Sequence, residues 1–172
     1  DPITRPLFLA AITANIAGAS NVVTYETIWL TYLWVGGIGC TLPLVIMLFF
    51  SKSTKLNALG RACLLPGIFN INEPVVFGAI AWNPLLMVPM WIIGAILPLI
   101  VWFGTKVINF APIPKIVFTL WYTPFPLSTW LATGGSIRAV IFLFVCVSVA
   151  TIIWYPFFKI YERQELKTEF QN

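Results

Sequence analysis

Long stretches without a charged side chain constrain this chain more than any other feature. Residues Ile28 to Phe50 carry no charge, and between Ala62 and Phe103 the only charged side chain is that of Glu73. About 20 apolar residues are enough for a helix to cross a bilayer. Only 9% of all residues are charged, whereas a soluble domain averages about 25%. Because so few charges cannot cover a water-exposed surface, we predict an all-α polytopic membrane protein.

The basic residues stand in short groups beside the apolar stretches. Lys52, Lys55 and Arg61 follow the first stretch directly, and the tail from Lys159 is rich in charge. The net charge is +4, but no basic stripe is long enough to follow a nucleic-acid backbone, so we expect no nucleic-acid partner. Cytoplasmic loops of membrane proteins carry an excess of Lys and Arg, which predicts that both groups face the cytoplasm.

Proline and glycine divide the chain into full spans and broken segments. The predicted full spans are Ile28–Phe50, Leu85–Phe103 and Ala139–Phe158. Leu65 to Trp82 and Lys115 to Arg138 are apolar but interrupted, and proline removes a helix hydrogen bond. Irregular backbone at membrane depth has to be shielded by protein or water. We therefore predict re-entrant hairpins for the two broken segments, a short helix from Leu7 to Ser20, and a helical or disordered tail.

Glu73 is the outstanding polar residue of the apolar region. A carboxylate within the bilayer costs about 2.5 to 3.5 kcal/mol on insertion scales, so such residues usually face a cavity or a substrate path. Asn70 and Asn72 precede it in FNINEP, and their amides offer both donors and acceptors. This combination suits a neutral, hydroxyl-rich ligand such as a sugar. The alternative is that Glu73 caps a half-helix or pairs with a basic residue.

Aromatic side chains mark the second broken segment. Trp121, Tyr122 and Trp130 lie there, and an aromatic face can stack on the apolar face of a sugar ring. Trp and Tyr are also common in the belts at membrane interfaces. Position alone leaves both interpretations open for each of the three.

Several kinds of chemistry are missing from the residue inventory. The chain has no histidine, which removes His-based metal sites and Ser-His or Cys-His nucleophile pairs. Cys40, Cys63 and Cys146 are widely separated in apolar surroundings, as buried small hydrophobes are. No phosphate loop, dinucleotide fingerprint or metal-ligand cluster is present. We therefore expect no metal, no cofactor and no catalytic residue in this chain.

Five segments occur in an order typical of one transporter family. They are SKSTKLNALGRACLLPGIFNINEPVVFG, NPLLMVPM, WYTPFP, LATGGSIRA and YPFFKIYE. Together they resemble the C-terminal half of the enzyme IIC sugar transporters of the bacterial phosphotransferase system, in the lactose, cellobiose and diacetylchitobiose branch. The resemblance runs from about Val35 to Glu162. The segment that contains Asn72-Glu73-Pro74 with its flanks is specific, whereas those three residues alone are a weak signal.

The resemblance implies a function and a set of partners. An enzyme IIC binds a disaccharide outside the cell, carries it inward and presents it to a cytoplasmic enzyme IIB, which donates a phosphoryl group from a phosphocysteine. It is a multi-pass protein of the bacterial cell membrane and a homodimer through an N-terminal dimerisation domain. The implied partners are thus the disaccharide, enzyme IIB, the lipid bilayer and a second copy. As part of a transferase complex, this chain would carry no phospho-acceptor itself.

The resemblance also assigns roles to individual residues. The family's glutamate and the asparagine before it match Glu73 and Asn72, and both would contact the sugar. The family's stacking tryptophan matches Trp121. Further neighbours expected around the sugar site are Asn70, Pro74 and Thr123.

Two departures from the family pattern concern the site and the extent of the chain. Leu120 and Tyr122 replace a proline and a threonine beside the tryptophan, which bears on the shape of that loop. The family's histidine near the reacting hydroxyl has no counterpart here, and the chain starts at Asp1 rather than at a methionine. We expect residues 1–172 to be the C-terminal part of the substrate-binding and transport domain, without the dimerisation domain.

Two other functions remain open on the sequence. One is a cation-coupled secondary transporter in which Glu73 carries a proton, because broken helices at the midplane are common to such transporters. The other is a structural membrane segment without activity of its own. Dependence of sugar uptake on phosphoenolpyruvate and enzyme IIB, or on a proton gradient, would discriminate between the transporters.

Overall fold

The structure is a computed structural model that describes residues 4–18, 28–114 and 120–171. The described residues form helices and turns and contain no strand, which confirms the all-α prediction. The α-helices are α1 (Thr4–Ile16), α2 (Leu42–Phe49), α3 (Thr54–Ile68), α4 (Glu73–Val75), α5 (Pro84–Trp102), α6 (Leu127–Ala132) and α7 (Ile137–Gln171). Three π-helical turns add Trp29–Leu33, Val76–Ile80 and Phe103–Val107.

Two helices of the described residues are long and apolar enough to cross a membrane. They are Pro84–Val107, which joins α5 to its π turn, and α7. The predicted spans over residues 85–103 and 139–158 are therefore confirmed as long apolar helices. α5 and α7 pack against each other, with Leu97 and Leu143 among the buried core residues. α5 begins where the Asn83 side chain accepts a hydrogen bond from the Leu85 N–H, with proline in the first turn.

The prediction of one span from Ile28 to Phe50 is wrong. The π turn Trp29–Leu33 is followed by turns, and α2 starts only at Leu42. Gly36 and Gly37 have φ angles of +77° and +96°, which no helix contains and which glycine adopts without steric cost. A Cβ on Gly36 would lie 2.4 Å from the backbone nitrogen of Leu42. Residues 34–41, the glycine-rich loop, thus fold back on the start of α2 instead of continuing a helix.

The two broken segments are irregular where the structure describes them. α3 ends at Ile68, Asn70 takes a left-handed φ of 64°, and a new helix starts at Glu73. The prediction that Leu65 to Trp82 is not one straight helix is therefore confirmed. Residues 115–119 of the second segment lie outside the described residues, as does Ser20 at the end of the short helix predicted from Leu7. From residue 120 onward the second segment contains turns, a cis Phe125–Pro126 bond and the six-residue α6.

The charged tail continues α7 as a helix and contacts the corner between α2 and α3. Glu162 accepts hydrogen bonds from the Ser51 hydroxyl at 2.7 Å and from the Lys52 N–H at 3.0 Å. Lys55 Nζ lies 2.9 Å from a carboxylate oxygen of Glu165. The predicted helical alternative for the tail is confirmed, and the tail lies at the same end of the molecule as the basic corner.

Candidate functional site

Asn70 joins three segments that are far apart in the sequence. Its side chain is buried, with 4% exposed. Asn70 Oδ1 accepts a hydrogen bond from the Gly36 N–H at 3.1 Å. Asn70 Nδ2 donates to the carbonyl oxygens of Trp121 and Thr123, both at 2.9 Å. The glycine-rich loop, the turn before Glu73 and the loop of Trp121 therefore meet at one amide.

Asn72 lies on the same glycine-rich loop. Its Nδ2 donates to the Ile38 carbonyl at 2.9 Å. A Cβ on Gly37 would lie 2.5 Å from Asn72 Cγ, so the close approach requires glycine at position 37. Among the described residues, Asn72 Oδ1 has no hydrogen-bond donor. The amide nitrogen of Asn72 is thus used in the fold, whereas its oxygen makes no hydrogen bond within the part of the chain that the structure describes.

Glu73 presents its carboxylate at the start of a helix. It is the first residue of α4, which runs directly into the π turn Val76–Ile80, and a negative charge is favoured at a helix N-terminus. The side chain is exposed, and neither an ion pair nor a hydrogen bond links it to another described residue. Pro74 follows in the first turn, where its missing N–H is not needed. The predicted alternative of a basic partner is therefore not realised within the described residues.

The Trp121 loop exposes two aromatic rings. Trp121 and Tyr122 are each 48% exposed, and their rings meet edge to face with centroids 5.8 Å apart. Thr123 is half-buried, and its N–H closes a turn on the Leu120 carbonyl at 2.9 Å. Trp130 belongs instead to α6 and lies against Gly135, where a Cβ would be 3.4 Å from its ring. The two tryptophans thus occupy different structural positions.

The glycine-rich loop is supported from behind by α7. Trp154 is fully buried, and its indole Nε1 donates to the carbonyls of Gly39 at 3.3 Å and Cys40 at 3.1 Å. The Thr41 hydroxyl donates to the Gly36 carbonyl. No local sequence pattern marks Trp154 as a support of this loop, because its partners are more than 100 residues away. A buried tryptophan needs a partner for its N–H, and the loop carbonyls supply it.

The described residues contain no group of three or more His, Cys, Asp or Glu side chains placed to hold a metal ion. The segments that meet at Asn70 carry two amides, several carbonyls and the carboxylate of Glu73. Amides and carboxylates can exchange hydrogen bonds with hydroxyl groups, and the exposed rings of the Trp121 loop can cover an apolar face.

Comparison with known proteins decides the family. The profile described as "Phosphotransferase system, EIIC" matches residues 3–94, more than half of the 172-residue chain. The chain belongs to the EIIC family. This confirms the resemblance drawn from the segments around Glu73.

Similar proteins are named as EIIC components specific for cellobiose or lactose. The cellobiose-specific EIIC component of Geobacillus stearothermophilus is 39% identical over 151 residues, which cover 87% of this chain and 33% of that protein. The lactose-specific EIICB component of Staphylococcus epidermidis is 34% identical over 140 residues, 80% of this chain and 24% of that protein.

A solved structure agrees with the architecture of this EIIC chain. The transporter ChbC, the IIC component from the N,N'-diacetylchitobiose-specific phosphotransferase system, superposes with a TM-score of 0.88 at 32% identity. The match covers 97% of this chain and 40% of ChbC. The chain spans about a third of the length of the curated relatives it matches first.

Proposed function

We propose that this chain forms the sugar-binding part of an EIIC permease, which binds a disaccharide of the cellobiose, diacetylchitobiose or lactose type and carries it inward. The observation that carries the proposal is the exposed carboxylate of Glu73, which follows Asn72 directly in the chain. Neither this carboxylate nor the amide oxygen of Asn72 makes a hydrogen bond to another described residue. The half-exposed ring of Trp121 belongs to a loop tied to the same turn. The names of the similar proteins support this class of substrate.

Each group has a distinct role in the proposed complex. The Glu73 carboxylate accepts hydrogen bonds from sugar hydroxyls, and charge-assisted bonds are about twice as strong as neutral ones. Asn72 Oδ1 accepts a further hydroxyl, and Trp121 stacks on the apolar face of a sugar ring. Pro74 and Thr123 shape the site without lending a side-chain bond of their own. Membership in the EIIC family supports these assignments.

The proposal includes partners and location. The permease hands the bound sugar to a cytoplasmic IIB protein for phosphorylation, and the name EIICB of one relative joins a IIB to a IIC component. The chain is the C-terminal part of a substrate-binding domain in a multi-pass protein of the bacterial cell membrane. A second copy associates through an N-terminal dimerisation domain. The two long apolar helices of the described residues support the membrane location.

Replacing Glu73 by glutamine tests the sugar site. Gln keeps the size of the side chain but offers a neutral oxygen and adds a donor. A hydrogen bond to a charged group contributes roughly 1.5 to 3 kcal/mol, so Glu73→Gln should weaken cellobiose binding by about 10- to 150-fold. Calorimetric titration of the permease measures this loss. Glu165→Gln, in the tail, is the matched control and should bind as the unmodified protein does.

Affinity within a factor of about two of the unmodified protein would contradict the assignment of Glu73, since the expected loss is tenfold or more. Uptake of labelled cellobiose by membrane vesicles adds a second arm. We expect uptake to require phosphoenolpyruvate and the IIB protein. Uptake that instead follows a proton gradient, and is lost in Glu73→Gln, would favour a proton-coupled transporter.

A further inference from the structure

The amide of Asn70 is fully occupied by the protein itself. Its oxygen takes the Gly36 N–H, and its nitrogen serves two carbonyls in the Trp121 loop. A side-chain amide has two donors and an oxygen acceptor, and Asn70 is 4% exposed. It therefore differs from Asn72 and Glu73, each of which keeps an oxygen without a hydrogen bond to another described residue.

We propose that Asn70 is a positioning residue that holds the Trp121 loop in register with the Glu73 turn and does not touch the sugar. This inference rests on the proposed function and refines the expectation that Asn70 neighbours the substrate. In this role, Asn70 supports sugar binding by positioning Trp121 and Glu73 and makes no contact with the sugar itself.

The hydrogen bonds from Asn70 are the polar anchor of the Trp121 loop. Within the described residues, the other hydrogen bonds of positions 120–126 are local, such as Thr123 N–H to Leu120 and Ser128 N–H to Pro124. The bonds from Asn70 bridge 51 and 53 residues of sequence. Without them, no hydrogen bond described in the structure connects this loop to the turn of Glu73.

The site requires asparagine for two independent reasons. The backbone has a φ of 64°, a left-handed conformation that asparagine adopts more readily than most residues with a side chain. The side chain must offer one acceptor and two donors from a short, planar group. Aspartate keeps the acceptor for Gly36 but turns a second acceptor toward two carbonyl oxygens. Glycine keeps the backbone conformation and removes every side-chain bond.

These differences define two informative variants and a control. Asn70→Gly removes all three hydrogen bonds without backbone strain. Asn70→Asp retains the acceptor for the Gly36 N–H and loses both donations to the Trp121 loop. Asn109→Gly is the matched control, because Asn109 also has a positive φ, of 53°, and is exposed. The described residues include no hydrogen-bond partner for the Asn109 side chain.

The first measurement needs no sugar. A nitroxide label on Leu120→Cys reports the mobility of the loop, since Leu120 is exposed and the native cysteines are buried. Asn70→Gly and Asn70→Asp should both raise the mobility of the label, and Asn109→Gly should leave it unchanged. A label equally immobile in both Asn70 variants would overturn the proposal. Because Asn70→Asp keeps the Gly36 bond, it remains informative if Asn70→Gly fails to fold.

The second measurement is a double-mutant cycle on cellobiose binding. Residues that act through one another lose affinity non-additively. We expect Asn70→Asp to weaken binding about tenfold in the unmodified protein and less than about threefold in Trp121→Ala. Equal losses in both backgrounds would show that Asn70 does not act through Trp121 and would overturn the proposal. If Glu73→Gln and Trp121→Ala both bind normally, the proposed function fails, while the label mobility still decides the role of Asn70.

Discussion

Asn70 and Glu73, three positions apart, differ in whether their polar side-chain atoms already have hydrogen-bond partners in the protein. The Asn70 amide is buried and satisfied, and leaving such a group unpaired costs about 1 to 3 kcal/mol. The Glu73 carboxylate is exposed and has no protein partner among the described residues. Hydrogen-bond satisfaction therefore separates Asn70, which we propose positions the site, from Glu73, which we propose contacts the sugar.

Trp121 and Trp130 provide a prediction with an internal control. Stacking on an aromatic ring contributes about 1 to 3 kcal/mol in alanine substitutions of base-binding sites. Trp121→Ala should weaken cellobiose binding by about 5- to 150-fold, with Trp121→Phe intermediate. Trp130→Ala should have little effect, because Trp130 lies on α6 against Gly135. Equal, small losses at both positions, measured by titration, would assign Trp121 to an interface belt.

The residues proposed for the sugar site stand out in the sequence, but their connections in the fold do not. Glu73, Asn72 and Trp121 stand out by residue type and by family resemblance. The role of Asn70 depends on bonds to Gly36 and to the Trp121 loop, 34 and 51 residues away. No local pattern encodes such distant partners. A left-handed asparagine beside a glycine-rich loop is a signal that only the backbone geometry makes visible.

The charged tail of α7 carries three glutamates on the helix face that contacts α2 and α3. Glu162, Glu165 and Glu169 point to the corner between α2 and α3, spaced as residues on one face of a helix are. Hydrogen bonds from the Lys55 N–H and the Ser53 hydroxyl lower the pKa of Glu169. Burial alone would raise the pKa of Glu162, but hydrogen bonds from Lys159, the Lys52 N–H and Ser51 outweigh it, so this pKa is also lowered.

The lowered pKa values predict how the tail responds to mutation and acid. A carboxyl group with a lowered folded-state pKa stabilises the contact above its unfolded pKa, about 4.3 for Glu, and loses that contribution as the pH falls through the folded value.

Glu162 is 5% exposed, so Glu162→Ala should cost about 1 to 3 kcal/mol by leaving its donors unpaired. Amide hydrogen exchange of residues 51–57 at pH 7 should accelerate about 5- to 150-fold.

Glu165→Ala is the control for the Glu162→Ala prediction, because the exposed pair with Lys55 contributes at most about 1 kcal/mol.

A nitroxide at Lys167→Cys should remain ordered at pH 7 and become mobile only below about pH 4. Loosening of the tail already between pH 5 and 7 would contradict the hydrogen-bond arrangement of the two carboxylates.

Hydropathy predicted the long apolar helices well but predicted the turns between them poorly. α5 and α7 are long apolar runs, and the prolines inside α5, Pro89 and Pro98, did not end it. The predicted span from Ile28 failed because hydropathy treats glycine as neutral, although positive φ angles at Gly36 and Gly37 turn the chain. Apolar content indicates residence in the membrane, whereas the path of the backbone depends on conformation.

The two long helices run in opposite directions, because residues that follow α5 lie beside the start of α7. An open cleft of about 490 Å³ is lined by residues that follow α5, such as Asn109, and by Arg138 at the start of α7. At 1.5 Å per residue, the apolar part of α7 to Phe158 is about 33 Å long, close to the roughly 30 Å of the hydrocarbon core. The tail and the basic α2–α3 corner then share the other end.

This arrangement predicts the orientation in the membrane. Lys55 Nζ contacts Glu165 at 2.9 Å, so positions 55 and 167 should lie on one side, and the excess of Lys and Arg there predicts the cytoplasmic side. Single cysteines are introduced at Lys55, Lys167 and Asn109 after the native cysteines are replaced. An impermeant maleimide applied to intact cells should label only position 109, and permeabilised cells should label all three. External labelling of both 55 and 167 would reverse the orientation but keep the fold, whereas labelling of only one of them would contradict the contact between the tail and α3.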